Sequence, residues 1–472
     1  RCTFLTKSQR HYSISILMEK SHRAFIVALA LFSSVIGFSQ RGSDVDTRDT
    51  LYWTLGHVGL RDAKVFIMRK GFSNTLSTPP VLQVKLFEGS QYVNTHNFTL
   101  DAQYGFSTIA EFHLLKPGTT YWIKSYNAFH QVNDSISFTT QPLWKYRSNA
   151  PDLDIAFGSC TYLNDPAYDR PGKAYGGGES IFNSIAQQQP DAMIWLGDNV
   201  YFREGDWDSQ EGMIARYIQS RTHPRLDSIF RKIPNYAIWD DHDFGPNDSN
   251  GSFILKDKSL ETFAHFWPNP SIGIPDVPGI TSMTTIGDVD FFFLDNRYHR
   301  VRNDLVLAPY LSVQHGQTIL GIEQIQWLIQ ALKTSNASFK VICMGGQFLN
   351  SAQVYENYSN YAMERAYIQD LLVMNQIKNV IFLSGDRHCG EVSKWEHKGY
   401  VMYDLTSSPL TSGASDMSAE KNDFRVEGTV VPQKHFAQLH VRGEGKNRTM
   451  TVSYHDTSGK IIFEKELNFH AK

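Results

Sequence analysis

The sequence predicts an α/β domain preceded by a small all-β domain. Between about residues 49 and 142, short strand-like runs are separated by turn residues and no helical period appears. From residue 153 onward, strand-like runs alternate with helical ones, the pattern of a domain whose sheets are buried beneath helices. At 472 residues the chain is also too long for one ordinary domain. We therefore divide it into a start region (1–40), a β-domain (41–146) and an α/β domain (147–472).

The β-domain is expected to be a small sandwich of two sheets. Its strand-like runs are "TLYWTLGHV", "AKVFIMRK", "VLQVKLFE", "STIAEFHLL", "TTYWIKSYN" and "SISFTT". The segment "LLKPGTTYWIKSYN" followed by "SISFTTQP" resembles the closing strands of a fibronectin type III-like domain, with a Pro-Gly turn between strands and a tyrosine early in the next one. Trp53 and Trp122 are equally compatible with core positions and with an exposed binding surface.

The α/β domain is expected to follow a regular order of elements. A strand "LDIAFGSC" precedes a helix "ESIFNSIAQQQ", in which Ile181, Phe182, Ile185 and Ala186 share one face. The chain continues with strand "DAMIWLGD", helix "GMIARYIQSRT", strands "NYAIWDD" and "DVDFFFLDN", helix "GIEQIQWLIQALKTS", strand "FKVICMGG", helix "ERAYIQDLLVMNQI" and strand "NVIFLSGD". Three strand-like runs after Gly399 are expected to complete a sheet edge of the same domain.

The start region has the pattern of a cleaved secretory signal peptide. Lys20 and Arg23 precede a short apolar run, and small residues follow near Ser39. The apolar run is roughly 15 residues long, which is short for a bilayer span. We therefore expect export to a periplasm, the cell surface or the medium, with no transmembrane segment in the mature chain.

Charge and cysteine content narrow the functional classes. Removal of residues 1–40 would leave 40 basic and 47 acidic residues, a formal charge of −7, which argues against a nucleic-acid-binding surface. The mature chain would retain Cys160, Cys343 and Cys389, an odd number at long spacings that resembles no disulfide framework. Cys343 is expected to lie in the hydrophobic core. Cys389 is expected to pack against its neighbours and not to bind a metal.

Residues suited to binding metals follow five of the predicted strands. These strand ends carry Cys160; Asp198 and Tyr201; Asp240, Asp241, His242, Asp243 and Asn247; Asp295, Arg297 and His299; and Asp386, Arg387, His388 and Glu391. Each acid alone could cap a turn, but five such ends should gather at one edge of the sheets. Their oxygen, nitrogen and sulfur donors suit a pair of cations about 3.5 to 4 Å apart, the arrangement that hydrolyses phosphoesters.

The motifs "FGSC", "GDNVY", "WDDHDFGPND" and "SGDRHCGE", in that order, resemble the PhoD-type alkaline phosphatases. These form a branch of the calcineurin-like metallophosphatases with an N-terminal β-sandwich. The resemblance implies a four-layer αββα sandwich and hydrolysis of phosphomonoesters or phosphodiesters by a metal-activated hydroxide. It also implies a centre of ferric iron with calcium, with other divalent metals left open.

The resemblance also implies roles for individual residues. Cys160, Tyr201 and His388 correspond to iron ligands, Asp198 to the bridging carboxylate, and Asp386 to a calcium ligand, with Asp241 or Asn247 supplying the remaining ligands of the second metal. Phenolate and thiolate donors favour a ferric ion, whereas carboxylate and amide oxygens favour calcium.

Two departures from the family pattern concern phosphate binding. Many relatives place an arginine shortly after the cysteine, where this chain has Asn164, so Arg170, Arg203, Arg297 and Arg387 are all candidates for phosphate contact. The wider superfamily uses a histidine at the strand end that here reads "CMGGQF", where Gln347 is the polar residue available.

His242 has two interpretations: it protonates or steadies the leaving oxygen, or it orients Asp241. Arg297 is either catalytic or a structural partner of Asp295 or Asp240. Two other functions remain open. One is a cell-surface binding protein with a catalytically decayed phosphatase body, and the other is a calcium-stabilised scaffold, which the Cys and Tyr donors disfavour.

Overall fold

The computed structural model describes residues 50–70, 80–127, 130–305 and 317–469. The predicted start region and signal peptide lie outside these residues. Within the described ranges, no helix combines the length and the apolar character that a membrane crossing requires.

Seven antiparallel strands form the N-terminal domain in two sheets, ordered β1-β2-β5 and β4-β3-β6-β7. The strands are β1 (Leu51–Val58), β2 (Ala63–Arg69), β3 (Val81–Glu88), β4 (Gln91–Thr99), β5 (Ser107–Phe112), β6 (Thr120–Tyr126) and β7 (Val132–Thr139). Side chains of both sheets share one apolar core, as the alternating burial along β3 requires. The predicted β-sandwich is confirmed. Trp53 belongs to this core, whereas Trp122 is 38% exposed.

Strand β4 is the element of this domain that the sequence did not predict. Its run "QYVNTHNFT" is polar and mostly exposed, so it carries no apolar alternation for a pattern to detect. Its pairing with β3 through the Gly89 turn decides its conformation.

The second domain contains twelve strands and seven helices among the described residues. The strands are β8 (Leu153–Gly158), β9 (Ala192–Leu196), β10 (Asn235–Ile238), β11 (Ser282–Ile286), β12 (Val289–Phe293), β13 (Phe339–Cys343), β14 (Val380–Ser384), β15 (Glu391–His397), β16 (Tyr400–Thr406), β17 (His435–Arg442), β18 (Thr449–Asp456) and β19 (Ile461–Glu466). The helices are α1 (Ile181–Gln187), α2 (Gln210–Thr222), α3 (Asp227–Lys232), α4 (Asp241–Phe244), α5 (Lys256–Phe266), α6 (Ile322–Thr334) and α7 (Ala362–Met374), with a 3₁₀ helix at Tyr358–Tyr361.

Two six-stranded sheets lie face to face in this domain. Their orders are β10-β9-β8-β17-β18-β19 and β11-β12-β13-β14-β16-β15. Phe291 and Phe293 on β12 share a core with Ile155 and Phe157 on β8, whereas the intervening Phe292 joins a second core with helices α6 and α7. Helices α1, α2, α3 and α5 contribute to the first core. The arrangement is the four-layer αββα sandwich that the family resemblance implied.

The C-terminal strands supply half of the first sheet. β17 pairs with β8 in the middle of that sheet, and β18 and β19 extend it to an edge. The expectation that the tail completes a sheet edge therefore understates its role, because the tail also holds β8 in place.

The N-terminal sandwich is anchored on helix α3 and strand β10. Arg231 on α3 forms an ion pair of 2.7 Å with Asp134 on β7 and donates to the carbonyl oxygen of Leu51 at 2.9 Å. Asn235 at the start of β10 donates to the carbonyl oxygen of Leu55 at 3.1 Å. The described residues from 50 onward accordingly form one compact unit.

Helix α4 corrects the sequence prediction locally. The run "NYAIWDD" was predicted as a strand throughout, but β10 ends at Ile238 and a one-turn helix begins at Asp241. A capping box between Asp240 and Asp243 accounts for the change, because both side chains satisfy backbone N–H groups of the turn.

Candidate metal centre and adjoining cleft

Parallel pairing brings the carboxyl ends of the predicted strands to one edge. β8, β9 and β10 run parallel in one sheet, and β12, β13, β14 and β16 run parallel in the other. The residues just beyond these ends include the buried Cys160, Asp198, Tyr201, Asp240 and Asp241 and the half-buried Asp386. Their side chains therefore meet between the two sheets.

The first group consists of Cys160, Asp198 and His388. One donor atom from each lies within 4.8 Å of the others, and Cys160 Sγ is 3.5 Å from Asp198 Oδ2. Tyr201 Oη lies 3.4 Å from His388 Nε2. The four residues that the family resemblance assigned to iron or to the bridge are thus close together.

A second group shares Asp198 with the first, and a third group shares Asp241 with the second. Asp198, Asp241 and His242 form one set of mutually close donor atoms, and Asp240, Asp241 and Asp386 form another. Asp198 belongs to two groups, so its carboxylate lies between two clusters of donors. Asp240 was not predicted as a ligand, although the sequence placed it at a strand end.

The backbone at these positions adopts an uncommon conformation. Cys160, Asp198, Asp386 and His388 have φ angles of 59°, 51°, 65° and 54°, in the left-handed region that non-glycine residues rarely occupy. Such conformations cost of order 1–3 kcal/mol each and tend to cluster at functional sites. Four such residues in one cluster indicate that these turns orient side chains at a cost in backbone free energy.

Burial makes this cluster electrostatically unfavourable by itself. It raises the pKa of Asp198 and of Asp240 well above the ordinary value, and nearby acids raise that of Asp198 further. It also raises the pKa of Asp386 to about 7 and lowers that of His388 to about 4. A bound cation would offset the cost of holding these carboxylates charged while they are buried together.

Buried oxygens without hydrogen-bond partners support the same conclusion. Asp240 Oδ2, Asp241 Oδ1 and Asn199 Oδ1 have none among the described residues. A buried oxygen of this kind costs free energy unless a hydrogen-bond donor or a cation satisfies it. The residues present therefore fit a site for two cations.

Arg297 lies beneath this cluster and is fully paired. Its guanidinium contacts Asp240 at a short distance, Glu356 at 2.6 Å and Asp241 at 3.6 Å, and only 1% of the residue is exposed. Asp240 is therefore a partner of Arg297, in agreement with the interpretation of Arg297 as a structural residue. Burial raises the pKa of Asp241, but His242 and Arg297 outweigh burial and keep it below the ordinary value.

The two predicted substrate-binding arginines occupy different environments. Arg387 is buried, donates to Gln347 Oε1 and Asn357 Oδ1 at 2.7 and 2.9 Å, and pairs with Glu420 at 2.6 Å. A cleft lies beside the ligand cluster. Arg170 lines this cleft, whereas Arg387 is not among the described residues that line it.

Gln347 holds Arg387 and donates to Glu391 at 2.6 Å, so its side chain is engaged away from the ligand groups. The glycine two residues earlier in this strand end, Gly345, lies against Asp240. A Cβ atom at Gly345 would lie 2.4 Å from Asp240 Cγ, so the close approach of Asp240 leaves no room for a side chain there.

His242 lies between the ligand cluster and the cleft. Its ring packs on Tyr201 with centroids 4.3 Å apart, and its backbone N–H donates to Asp198 Oδ1 at 3.2 Å. Burial lowers the pKa of His242 below its ordinary value. The imidazole also lines the cleft, as does the exposed Asn247.

The cleft has a volume of about 980 Å³ and contains several aromatic side chains. Tyr175 Oη lies 3.2 Å from His388 Nδ1, and the rings of Tyr162 and Tyr201 are 5.0 Å apart. Neither Tyr162 nor Tyr175 could be singled out from the sequence, because both lie in a loop without a strand or helix period.

Asp248 and Glu356 were also missed. Together with Asp241 they offer a further group of close donor atoms. Asp248 follows Asn247 in the motif "GPND" and could have been noticed there. Glu356 lies just before the 3₁₀ helix and follows no strand, so the strand-end rule could not find it.

Two solved structures share this fold. A structure of PhoD matches with a TM-score of 0.70 and 15% identity, covering 89% of this chain and 92% of that one. A purple acid phosphatase from yellow lupin (Lupinus luteus) seeds matches with a TM-score of 0.63 and 11% identity, covering 89% of this chain and 74% of that one. The class of fold is therefore that of the metallophosphatases.

The family follows from the sequence comparison. Residues 155–455 match the family described as PhoD-like phosphatase, and because this is more than half of the chain, the protein belongs to that family. The family indicated by the motifs is confirmed. Alkaline phosphatase D of Bacillus subtilis (strain 168) is 22% identical over 338 residues, covering 63% of this chain. The match spans 55% of the length of that relative.

Proposed function

We propose that this protein is a metal-dependent hydrolase of phosphoric esters, acting on phosphomonoesters or phosphodiesters. Family membership supports the reaction class. The observation that carries the proposal is the buried cluster in which Cys160, Asp198, Asp386 and His388 are all presented from left-handed backbone turns at strand ends.

The proposed cations are one ferric iron and one or more calcium ions. Cys160, Tyr201 and His388 would hold the iron, Asp198 would lie between the two metals, and Asp386 with Asp241 would face the calcium. The thiol and phenol oppose ionisation while buried, since burial raises the pKa of both well above ordinary values, and a cation reverses that preference. Asn247 is the proposed amide donor at the cleft side of the calcium.

When bound, such a pair of cations supplies an activated water and neutralises charge on the phosphoryl oxygens. The protein supplies the geometry. Asp198 is fixed by the His242 backbone N–H, and the aromatic wall of Tyr162, Tyr175 and Tyr201 borders the cleft above the cluster. We assign to His242 the contact with the leaving oxygen, because its ring lines the cleft.

Hydrolysis of p-nitrophenyl phosphate and bis(p-nitrophenyl) phosphate by the full chain, reconstituted with iron and calcium, tests this function. Cys160→Ser should lose iron and most of the activity, whereas Cys389→Ser should keep both. The second variant is a matched control, because Cys389 is a buried neighbour of His388 that belongs to none of the donor groups. Absence of hydrolysis by the reconstituted wild-type protein would refute the proposal.

We also propose that the protein is exported. The support is the basic, apolar and small-residue pattern at residues 20–40 of the sequence. N-terminal sequencing of the protein recovered outside the cytoplasm should find a start near Arg41, and retention of the whole chain in the cytoplasm would contradict export.

A further inference from the structure

We propose that the cleft carries an anionic subsite centred on Lys173, which favours phosphoesters whose ester group bears a second negative charge. This inference rests on the proposed phosphoester hydrolysis and adds a substrate class to it. It follows from the charges that line the cleft and from how each of them is paired.

Arg203 is the first of three cationic side chains that line the cleft. It is 5% exposed, pairs with Asp169 at 2.8 Å, donates to the carbonyl oxygen of Leu163 at 2.8 Å and lies 4.0 Å from the centroid of the Tyr162 ring. Its donors and its planar face are therefore already used to hold the wall of the cleft.

Arg170 is the second cation. Its Nε and Nη2 atoms donate to the same carboxylate oxygen of Glu204, at 3.0 and 2.9 Å. Glu204 also lines the cleft, so the two charges offset each other at its rim.

Lys173 is the third cation, and it has no ion pair or hydrogen bond within the part of the chain that the structure describes. The acids that line the cleft are Asp169 and Glu204, and both are paired with the arginines. The wall of the cleft therefore carries one uncompensated positive charge apart from the metal centre, and an anionic group is what it can attract.

The loop that bears Lys173 is held at both ends. Asn164 Oδ1 accepts a hydrogen bond from the Gly176 N–H at 3.0 Å, and Tyr162 Oη donates to Asp169 Oδ1 at 2.8 Å. Tyr175, two residues after Lys173, contacts His388 Nδ1 at 3.2 Å. Lys173 thus stands on a loop whose other contacts reach a proposed metal ligand.

The size of the cleft agrees with a substrate larger than phosphate. Its volume of about 980 Å³ is that of a pocket for a drug-sized ligand. The aromatic side chains of Tyr162, Tyr175 and Trp207 line it together with Lys173. The space beside the metal centre accommodates an ester group, and the lysine supplies a charge to select it.

Two substrates that share a leaving group but differ in the charge of their ester group test this subsite. They are ethyl p-nitrophenyl phosphate and 2-carboxyethyl p-nitrophenyl phosphate, assayed at low ionic strength with the iron- and calcium-loaded full chain. We expect the wild-type protein to favour the carboxylate ester in kcat/KM, and Lys173→Ala to reduce that preference about fivefold, chiefly through KM. Lys173→Arg should restore the preference. Lys446→Ala removes an exposed lysine outside the cleft and should change neither rate nor preference.

A binding measurement separates this inference from the proposed reaction. Titration calorimetry with ethylphosphonate and 3-phosphonopropionate should show the same about fivefold loss of preference in Lys173→Ala. If neither ester is hydrolysed but the binding preference depends on Lys173, the proposed reaction fails and the subsite stands. Equal affinity of the wild-type protein for both phosphonates, or an equal loss for both in the variant, would overturn the subsite.

Discussion

Asp198 Oδ2 lies 3.5 Å from Cys160 Sγ, and both residues hold left-handed backbone angles just beyond neighbouring parallel strands. Burial and the neighbouring carboxylate raise the pKa of the Cys160 thiol well above its ordinary value. If the sulfur and the carboxylate were both negative in this buried position, a nearby cation would be needed to offset their repulsion. The proposed binding of metal therefore depends most directly on this pair.

Asp198→Asn should lower kcat/KM for bis(p-nitrophenyl) phosphate by at least about 100-fold, because the bridging charge is lost. Asparagine keeps the shape of aspartate and tolerates positive φ, so the fold should persist. In the metal-free protein the melting temperature should stay equal or rise, since a carboxyl whose ionisation is opposed by burial and by neighbouring acids is replaced by a neutral amide. Asp208→Asn, at an exposed position of the same loop, is the control. Retained turnover in Asp198→Asn would contradict the bridging role.

Tyr201→Phe should remove a visible charge-transfer band from the iron-loaded protein, because a phenolate bound to ferric ion produces that band. Absorption spectroscopy compares the variant with Tyr162→Phe. Tyr162 is a suitable control because its ring lies only 5.0 Å from the ring of Tyr201, but its hydroxyl donates a hydrogen bond to Asp169. A band that survives in Tyr201→Phe and disappears in Tyr162→Phe would reverse the assignment.

His242→Ala should separate the two interpretations of this histidine. If His242 assists the leaving oxygen, the loss of kcat should be about 100-fold for methyl phenyl phosphate and much smaller for methyl p-nitrophenyl phosphate, whose leaving group needs no proton. Metal content should be unchanged. Equal losses for both substrates, accompanied by loss of metal, would show that His242 orients Asp241 instead.

The contact between the two domains should depend on pH through Asp134. Burial raises the pKa of this carboxyl, but hydrogen bonds from Arg231 and Trp53 outweigh burial and leave the pKa below its ordinary value. A lowered pKa stabilises the folded protein above the unfolded-state pKa, and the contribution is lost as the pH falls through the folded-state pKa. Asp134→Asn should thus lower the free energy of unfolding at pH 7 by about 1–3 kcal/mol.

The difference between wild type and Asp134→Asn should begin to shrink as the pH falls below the ordinary aspartate value of 3.8. Urea titrations at several pH values measure it. Asp423→Asn, at a side chain that is 62% exposed, should have little effect at any pH. Equal stabilities of wild type and Asp134→Asn at neutral pH would contradict the anchoring role of this ion pair.

Local patterns explain why much of the fold was predictable. Helix α6 has an apolar face that its sequence period reveals, and β9 is a continuous buried run of the kind found in parallel sheets. The strand-end rule also predicted that Cys160, Asp198 and His388 would lie close together, because the carboxyl ends of the parallel strands in both sheets lie at one edge.

The missing parts of the site depend on contacts between distant segments. Arg297 and Glu356 form an ion pair across 59 positions of the chain, and neither position carries a pattern that predicts the other. The free charge of Lys173 likewise follows only from knowing that Glu204 is taken by Arg170. Pairing of this kind is a tertiary property that a single sequence does not display.

Elemental analysis of residues 41–472, purified without chelators, tests the central claim most directly. The account predicts about one iron and one or more calcium ions per chain. Two zinc or manganese ions would keep a metal-dependent hydrolase but overturn the roles of Cys160 and Tyr201. No tightly held metal, even after reconstitution, would contradict the account.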